Sequence, residues 1–320
     1  MSAPLTSYTH ALTADQAARL RPLLEARGFE FQTKPYCLYA AAKSKVNICV
    51  YEKGPKIVVQ GKETEDFITN LLEPEVLGEA KLGYEEVHHP EMFQPHIGVD
   101  ESGKGDFFGP LVIAGVYIDG AAAHRLRDIG AVDSKRIGSD ARIFKIAADI
   151  RTIPGLAWEV IAIRPERYNE LYTKFGNLNR LLAWGHARVI ESLLERVPGC
   201  QRAISDQFAN PAVLQRALQT RGRQIELVQR TKAESDPAVA AASILAREAF
   251  VGWLRSEGQA YGMEFPKGVS NSVKQAAATL INQHGSDILP ALCKMHFRTS
   301  SEVLFGSVSE TPQINIPRES

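Results

Sequence analysis

A surplus of charge is the first thing missing, because 37 Lys and Arg stand against 37 Asp and Glu in 320 residues. No global basicity announces a polyanion, so any such partner must be met by a local patch. Cysteine is scarce too. Cys37, Cys49, Cys200 and Cys293 are scattered without a CxxC pair, which excludes a disulfide framework and the usual zinc spacings and favours a reducing compartment. No apolar run approaches the ~20 residues that span a bilayer, and the N-terminus lacks the charged-then-apolar pattern of a signal peptide. The expectation is a soluble, cytoplasmic chain with no membrane partner. An apolar share of 44% with 23% charged residues is ordinary for a globular protein, here long enough for two domains.

What charge there is lies unevenly. Residues 1–62 hold nine basic side chains against four acids, a patch able to attract phosphates, although solvated surface explains it equally well. Thr13-Ala-Asp-Gln16 has capping-box spacing and opens an amphipathic helix that stops near Gly28. Strand-like runs follow at Phe29–Gln32, Tyr36–Ala41, Val46–Tyr51 and Lys56–Gln60, then a helix over about Glu63–Leu72. This α+β module, 1–73, has helices for one sheet face only. The other face is free to meet a partner, and Tyr36, Tyr39 and Lys43 are candidates for it. Residues 74–95, Glu-rich with Pro74, Gly83, Pro90 and Pro95, read as a linker.

A second domain, 96–305, opens on the stretch around which the chain is organised, His96-Ile-Gly-Val-Asp-Glu-Ser-Gly-Lys-Gly-Asp-Phe-Phe-Gly-Pro110. It reads as a strand, a glycine-rich turn and a second strand, with Asp100 and Glu101 closing the first. Side chains alternate along a strand, so a bend or bulge is expected if both acids serve one site. Gly98-x-x-x-x-Gly103-Lys104 imitates a phosphate-cradling loop, but Gly105 stands where Ser or Thr must hold magnesium. A third strand, Ala157–Ile163, precedes a long helix over 178–197. The strands Ala203–Asp206 and Gln224–Gln229 alternate with helices before an Ala-rich helix begins at Ser235-Asp236-Pro237. That order implies a mixed sheet flanked by helices, with sites beyond strand ends. The tail 306–320 reads as disordered.

Acids sit at such ends: Asp100 and Glu101, Asp206, and Glu234 just after the fifth strand. Singly, each has a plain structural role, Asp206 as a helix cap and Glu234 as a first-turn dipole partner. Jointly they repel, by roughly 4 kcal/mol for two charges 4 Å apart near a surface, unless cations neutralise them. Oxygen-only donors favour a hard ion, Mg2+ or Mn2+, and two such ions can activate water against a phosphodiester.

Five blocks in order carry a resemblance: Asp100-Glu-Ser-Gly-Lys-Gly105, Asp133-Ser-Lys135, Ile204-Ser-Asp-Gln207, Lys232-Ala-Glu234 and Ala240-Ala-Ala-Ser-Ile-Leu-Ala-Arg247. Together they resemble the type 2 ribonucleases H. The Gly-Lys-Gly turn and the preceding module are similar to ribonuclease HIII rather than HII. The resemblance implies a ribonuclease-H-like catalytic domain behind a TATA-binding-protein-like substrate-binding domain. It also implies endonucleolytic hydrolysis of RNA in RNA–DNA hybrids, leaving 5′-phosphate and 3′-hydroxyl ends. It carries the metal quartet onto Asp100, Glu101, Asp206 and Glu234, with Asp236 a competing fourth acid better suited to capping. Gly103, Lys104 and Gly105 match the segment that reads 2′-hydroxyls. Lys135 and, less directly, Asn177 join Lys104 as nucleic-acid contacts. Cleavage at single embedded ribonucleotides and non-catalytic hybrid binding are the alternatives. No obligatory protein partner is expected, and a monomer suffices. His186 is either a buried polar contact or a late participant, and Cys293-Lys-Met-His-Phe297 has no derivable role.

Overall fold

The computed structural model describes residues 5–78, 89–131, 134 and 137–306, and the chain divides into two compact units between Phe93 and Gln94. In the first, strands β1 (Ser7–Ala11), β2 (Glu30–Gln32), β3 (Cys37–Lys43), β4 (Val46–Tyr51) and β5 (Lys56–Gly61) form an antiparallel sheet ordered β1-β5-β4-β3-β2. Helix α1 (Ala14–Ala26) starts at a complete capping box, in which Thr13 Oγ1 accepts from Gln16 N and Gln16 Oε1 accepts from Thr13 N. Strand alternation sends Val46, Ile48, Val50, Ile57 and Val59 inward against Leu20 and Leu24 of α1. The opposite face carries exposed Thr9, Asn47, Lys56 and Gln60.

Two expectations change here. Tyr39 pairs with Val50 and Lys43 with Val46, so both stand on the helix-covered face. Tyr39 is buried, its hydroxyl donates to Ala17 O at 2.7 Å, and burial pushes the phenol up to about 12. Lys43 Nζ donates to Arg27 O at 2.6 Å, where α1 ends and its last carbonyls need donors. Neither faces the open side, because a register shift between Cys37 and Tyr39 resets the alternation. The second change concerns the linker. Helix α2 (Thr64–Phe67) continues as a π-helical segment, Ile68–Leu77, whose wider turns carry it past Pro74. It ends at left-handed Gly78, whose N–H donates to Glu73 O at 2.8 Å. Residues 74–77 are therefore helical, while 79–88 and the tail after Gly306 lie outside the described residues.

In the second unit, β6 (His96–Ser102), β7 (Leu111–Ile118) and β8 (Ala157–Ile163) form an antiparallel meander. Strands β9 (Arg202–Asp206) and β10 (Glu226–Arg230) extend it in parallel, giving the order β10-β9-β6-β7-β8. Helices α3 (Gly120–Asp128), α4 (Asp140–Arg151), α5 (Pro165–Phe175), α6 (Leu178–Arg196), α7 (Pro211–Ala217) and α8 (Pro237–Tyr261) surround it, followed by α9 (Asn271–His284), α10 (Leu289–Leu292) and α11 (Arg298–Phe305). One face is covered by α6, whose Leu181, Leu182, Val189 and Ile190 are fully buried, each worth ~1.5–3 kcal/mol. Helix α8 covers the other. A Cβ on Gly98 would lie 2.2 Å from Val239 N, so only glycine lets α8 approach this closely. Among described helices α8 alone is long and apolar enough to cross a membrane, and most of it is buried in this core.

Candidate active site

Strand β6 carries both leading acids without a bulge. Its register with β7 is continuous, Asp100 opposite Ala114, Glu101 opposite Ile113 and Ser102 opposite Val112. The bend expected between the acids is absent, and ordinary alternation sends them to opposite faces. Asp100 shares the α8 face with Gly98, whereas Glu101 shares the α6 face with Val99.

On the α8 face the parallel register does the assembling. Val99 pairs with Ser205, so Asp100 and Asp206, one residue on in each strand, stand side by side. Neighbouring strands run about 4.8 Å apart, so the two residues start from adjoining backbone positions. Asp100 Oδ1 accepts from Glu101 N at 2.8 Å. Asp206 Oδ1 accepts from Ala233 N at 3.3 Å, which ties the end of β9 to the turn carrying Glu234. That turn is entered through Lys232 in the left-handed region, φ 57°, a conformation costly for a side-chain-bearing residue and concentrated at functional sites. Glu234 is half-buried there.

Asp236 does something else. It is fully buried as the N-cap of α8, its Oδ1 accepting from Ala238 N at 2.9 Å and Val239 N at 3.2 Å. His96 Nε2 lies 2.9 Å from the same oxygen, and Arg230 Nη2 lies 3.7 Å from Oδ2. One oxygen of its carboxylate is thus committed to the start of the helix, and the other faces Arg230 without a hydrogen bond.

On the α6 face, Glu101 Oε2 accepts from His186 Nε2 at 3.1 Å, and Lys104 Nζ lies 3.4 Å from Oε1. Burial works to raise this carboxyl. The hydrogen bond and charge of His186, then Lys104, outweigh it and hold the group below the usual carboxylate range. His186 is wholly buried, with Nδ1 3.1 Å from Ser205 Oγ and its ring against Phe208. It is a buried polar contact that joins β6 to β9. Lys104 Nζ also sits 5.7 Å above the Phe208 ring.

The turn after β6 contrasts two glycines. Gly103 has φ +84°, and a Cβ there would lie 2.2 Å from Pro110 O, so the fold itself demands glycine. Around Gly105 a Cβ would meet nothing within 4 Å, so nothing in the fold demands it. Asn177 is exposed and caps α6, its Oδ1 accepting from Asn179 N at 2.8 Å. Lys135 lies outside the described residues.

The strand ends thus place Asp100 and Asp206 on adjoining strands, the Ala233 bond ties the turn carrying Glu234 to Asp206, and Glu101 lies on the opposite face of β6. Among the described residues no three Asp, Glu, His or Cys groups converge closely enough to hold an ion as their side chains stand. The donor chemistry still fits a hard divalent cation: carboxylate oxygens on adjoining strand ends, with no thiolate offered.

A family model described as Ribonuclease HII matches residues 97–300. Ribonuclease HIII of Chlamydia muridarum is 43% identical over 306 residues, covering 95% of this chain and 99% of that protein. Ribonuclease HIII of Protochlamydia amoebophila is 41% identical over 300 residues, covering 94% and 97%. Among solved structures, Bst-RNase HIII in complex with Mn2+ aligns with a TM-score of 0.64 at 28% identity, covering 93% of this chain and 98% of that one. Aquifex aeolicus RNase H3 aligns with a TM-score of 0.52 at 28% identity, covering 90% and 99%.

Proposed function

We propose a division of labour within this chain, which belongs to the ribonuclease HIII family: acidic strand ends that cut and a separate sheet face that holds. The chain is a metal-dependent endoribonuclease acting on the RNA strand of RNA–DNA hybrids, with Mg2+ or Mn2+ as cofactor. The observation that carries the site assignment is the β6–β9 register, which stands Asp100 beside Asp206, with Glu234 tied in through Ala233.

In this reading Asp100, Asp206 and Glu234 hold the cation, and Glu101, carried over from the family pattern, joins them only once its carboxylate leaves His186 and Lys104 on the α6 face. Asp236 is set aside because its Oδ1 already caps α8 and meets His96, while its buried Oδ2 faces Arg230. A divalent ion held there would supply activation of a water and charge stabilisation for the leaving oxygen, in keeping with 5′-phosphate and 3′-hydroxyl ends. The chain's own residues do the rest. His186 fixes the Glu101 carboxylate in its ionised form. Lys104, part-exposed beside it, offers a cation to the scissile strand's phosphates. Gly105, with open space around it, lets a ribose approach the main chain closely enough for its 2′-hydroxyl to be read.

The open face of the N-terminal sheet, with Thr9, Asn47, Lys56 and Gln60, offers hydrogen-bonding groups and positive charge to a duplex backbone. Tyr39 and Lys43 take no part in that contact. Four free thiols, Cys37, Cys49, Cys200 and Cys293, fit a cytoplasmic setting.

Asp100→Asn keeps size and shape but removes the charge. Cleavage of a labelled hybrid should fall by at least about 10³-fold, with affinity measured in calcium unchanged. Turnover within about tenfold of wild type would remove Asp100 from the metal set.

A further inference from the structure

The segment Cys293-Lys-Met-His-Phe297 contains a fully buried lysine, Lys294. Its Nζ donates to three main-chain oxygens, Asp106 O at 2.8 Å, Phe108 O at 3.3 Å and Gly109 O at 2.6 Å. Three is the full donor complement of an ammonium. The backbone joins the same two segments. Lys294 N donates to Phe107 O at 2.8 Å, Gly109 N donates to Leu292 O at 2.9 Å, and Phe108 bridges Cys293. No carboxylate lies within ion-pair distance of Nζ among the described residues, and the Asp106 side chain accepts from Gly268 N at 2.6 Å instead.

A buried ammonium without a carboxylate is an expensive way to fill space, since an apolar side chain of similar volume avoids the desolvation cost. The cost is explained by what the three carbonyls belong to. Asp106, Phe108 and Gly109 are the return limb of the turn that carries Gly103, Lys104 and Gly105. A second link runs through Phe250, whose ring lies 5.9 Å from Nζ and would sit 2.9 Å from a Cβ on Gly103. Lys294 therefore meets the turn from below by hydrogen bonds and from the side through one aromatic ring.

We propose that Lys294 is a positioning residue: its ammonium gathers the Asp106, Phe108 and Gly109 carbonyls and so sets the Gly103-Lys104-Gly105 turn in the conformation that receives the RNA strand. This rests on the assignment of that turn as the ribose-reading element. A pH dependence follows from the geometry. Burial pushes the ammonium down to about 7, with Asp106 and Cys293 pulling the other way. Among the other groups facing it, burial raises the Cys293 thiol and the Tyr168 hydroxyl, and burial with the Lys294 charge lowers His296 to about 4. Lys294 is thus the one of these four that changes charge near neutrality. Once deprotonated it has two N–H groups for three carbonyls, and the turn loosens.

The test is steady-state cleavage of a continuous hybrid by the full chain in magnesium. Wild type is compared with Lys294→Met and Gly105→Ala, and wild type is also followed across pH. Lys294→Met should raise KM about tenfold while kcat stays within about threefold. Wild-type KM should rise between about pH 6 and 8, and the Met variant should lose that rise. The wild-type profile needs no variant to fold, and a KM flat through neutrality overturns the proposal. So does a Met variant that folds and loses kcat at unchanged KM. Gly105→Ala, which meets no neighbour, tests the turn separately. If it raises KM and Lys294→Met does not, the positioning role alone falls. If it leaves KM unchanged, the turn is not the reading element and the proposal falls with it.

Discussion

The two five-stranded sheets of this chain differ chiefly in what covers them. The N-terminal sheet packs α1 and the α2 segment on one face and leaves Thr9, Asn47, Lys56 and Gln60 exposed on the other. The catalytic sheet is covered on both faces, by α6 and α8, so it has no face to offer and presents its strand ends instead. A bare face suits broad, sequence-independent contact with a duplex backbone. A covered sheet suits chemistry, because its rigid strands hold carboxylates in fixed register at an edge.

The sharpest break of that comparison uses two acids only two residues apart at the edge. Glu234→Gln should lower kcat by at least about 10³-fold and leave the fold intact. Asp236→Asn removes the charge facing His96 and Arg230 in a wholly buried site, so it should cost roughly 3 kcal/mol of stability. Its folded fraction should retain turnover within about tenfold. Urea unfolding beside single-turnover cleavage separates the two. A folded, inactive Asp236→Asn with an active Glu234→Gln would exchange their roles. A smaller effect is expected from the bare face. Lys56→Glu should weaken hybrid binding about threefold to tenfold, more at low salt, with kcat unchanged. Tyr39→Phe, on the covered face, should lose about 1 kcal/mol of stability with its bond to Ala17 O and leave affinity alone. Equal affinities for Lys56→Glu and wild type would leave that face without a role.

Much of the architecture is local and so was legible in the residues. The Thr13 box and the Pro237 start of α8 each announce themselves within four positions. Strands β6 to β10 follow from apolar runs bounded by Gly and acids. What escaped is non-local or weakly patterned. Strand β1 is five residues of mixed polarity, recognisable only through its pairing with β5. Helix α5 did carry a signal, Pro165 at its first turn with Tyr168 and Leu171 on its buried side. Tyr39 was placed on the wrong face because Ala40, Ala41 and Ala42 hide the alternation and the shift after Cys37 resets it. At the site, the acids' positions in sequence pointed to the edge. Only the β6–β9 register distinguishes Asp100, beside Asp206, from Glu101, which turns to His186. Lys294 was opaque for the same reason, since its partners lie more than 180 residues away along the chain.

The measurement that bears most directly on this account presents two labelled duplexes to the full chain in magnesium, in manganese and in chelator. One is a continuous RNA–DNA hybrid, and the other is DNA carrying a single ribonucleotide. The account predicts cleavage of the continuous hybrid with either metal, none in chelator, and a lone ribonucleotide left intact. Cleavage that persists in chelator, or cutting 5′ of the lone ribonucleotide as readily as within the hybrid, would contradict it.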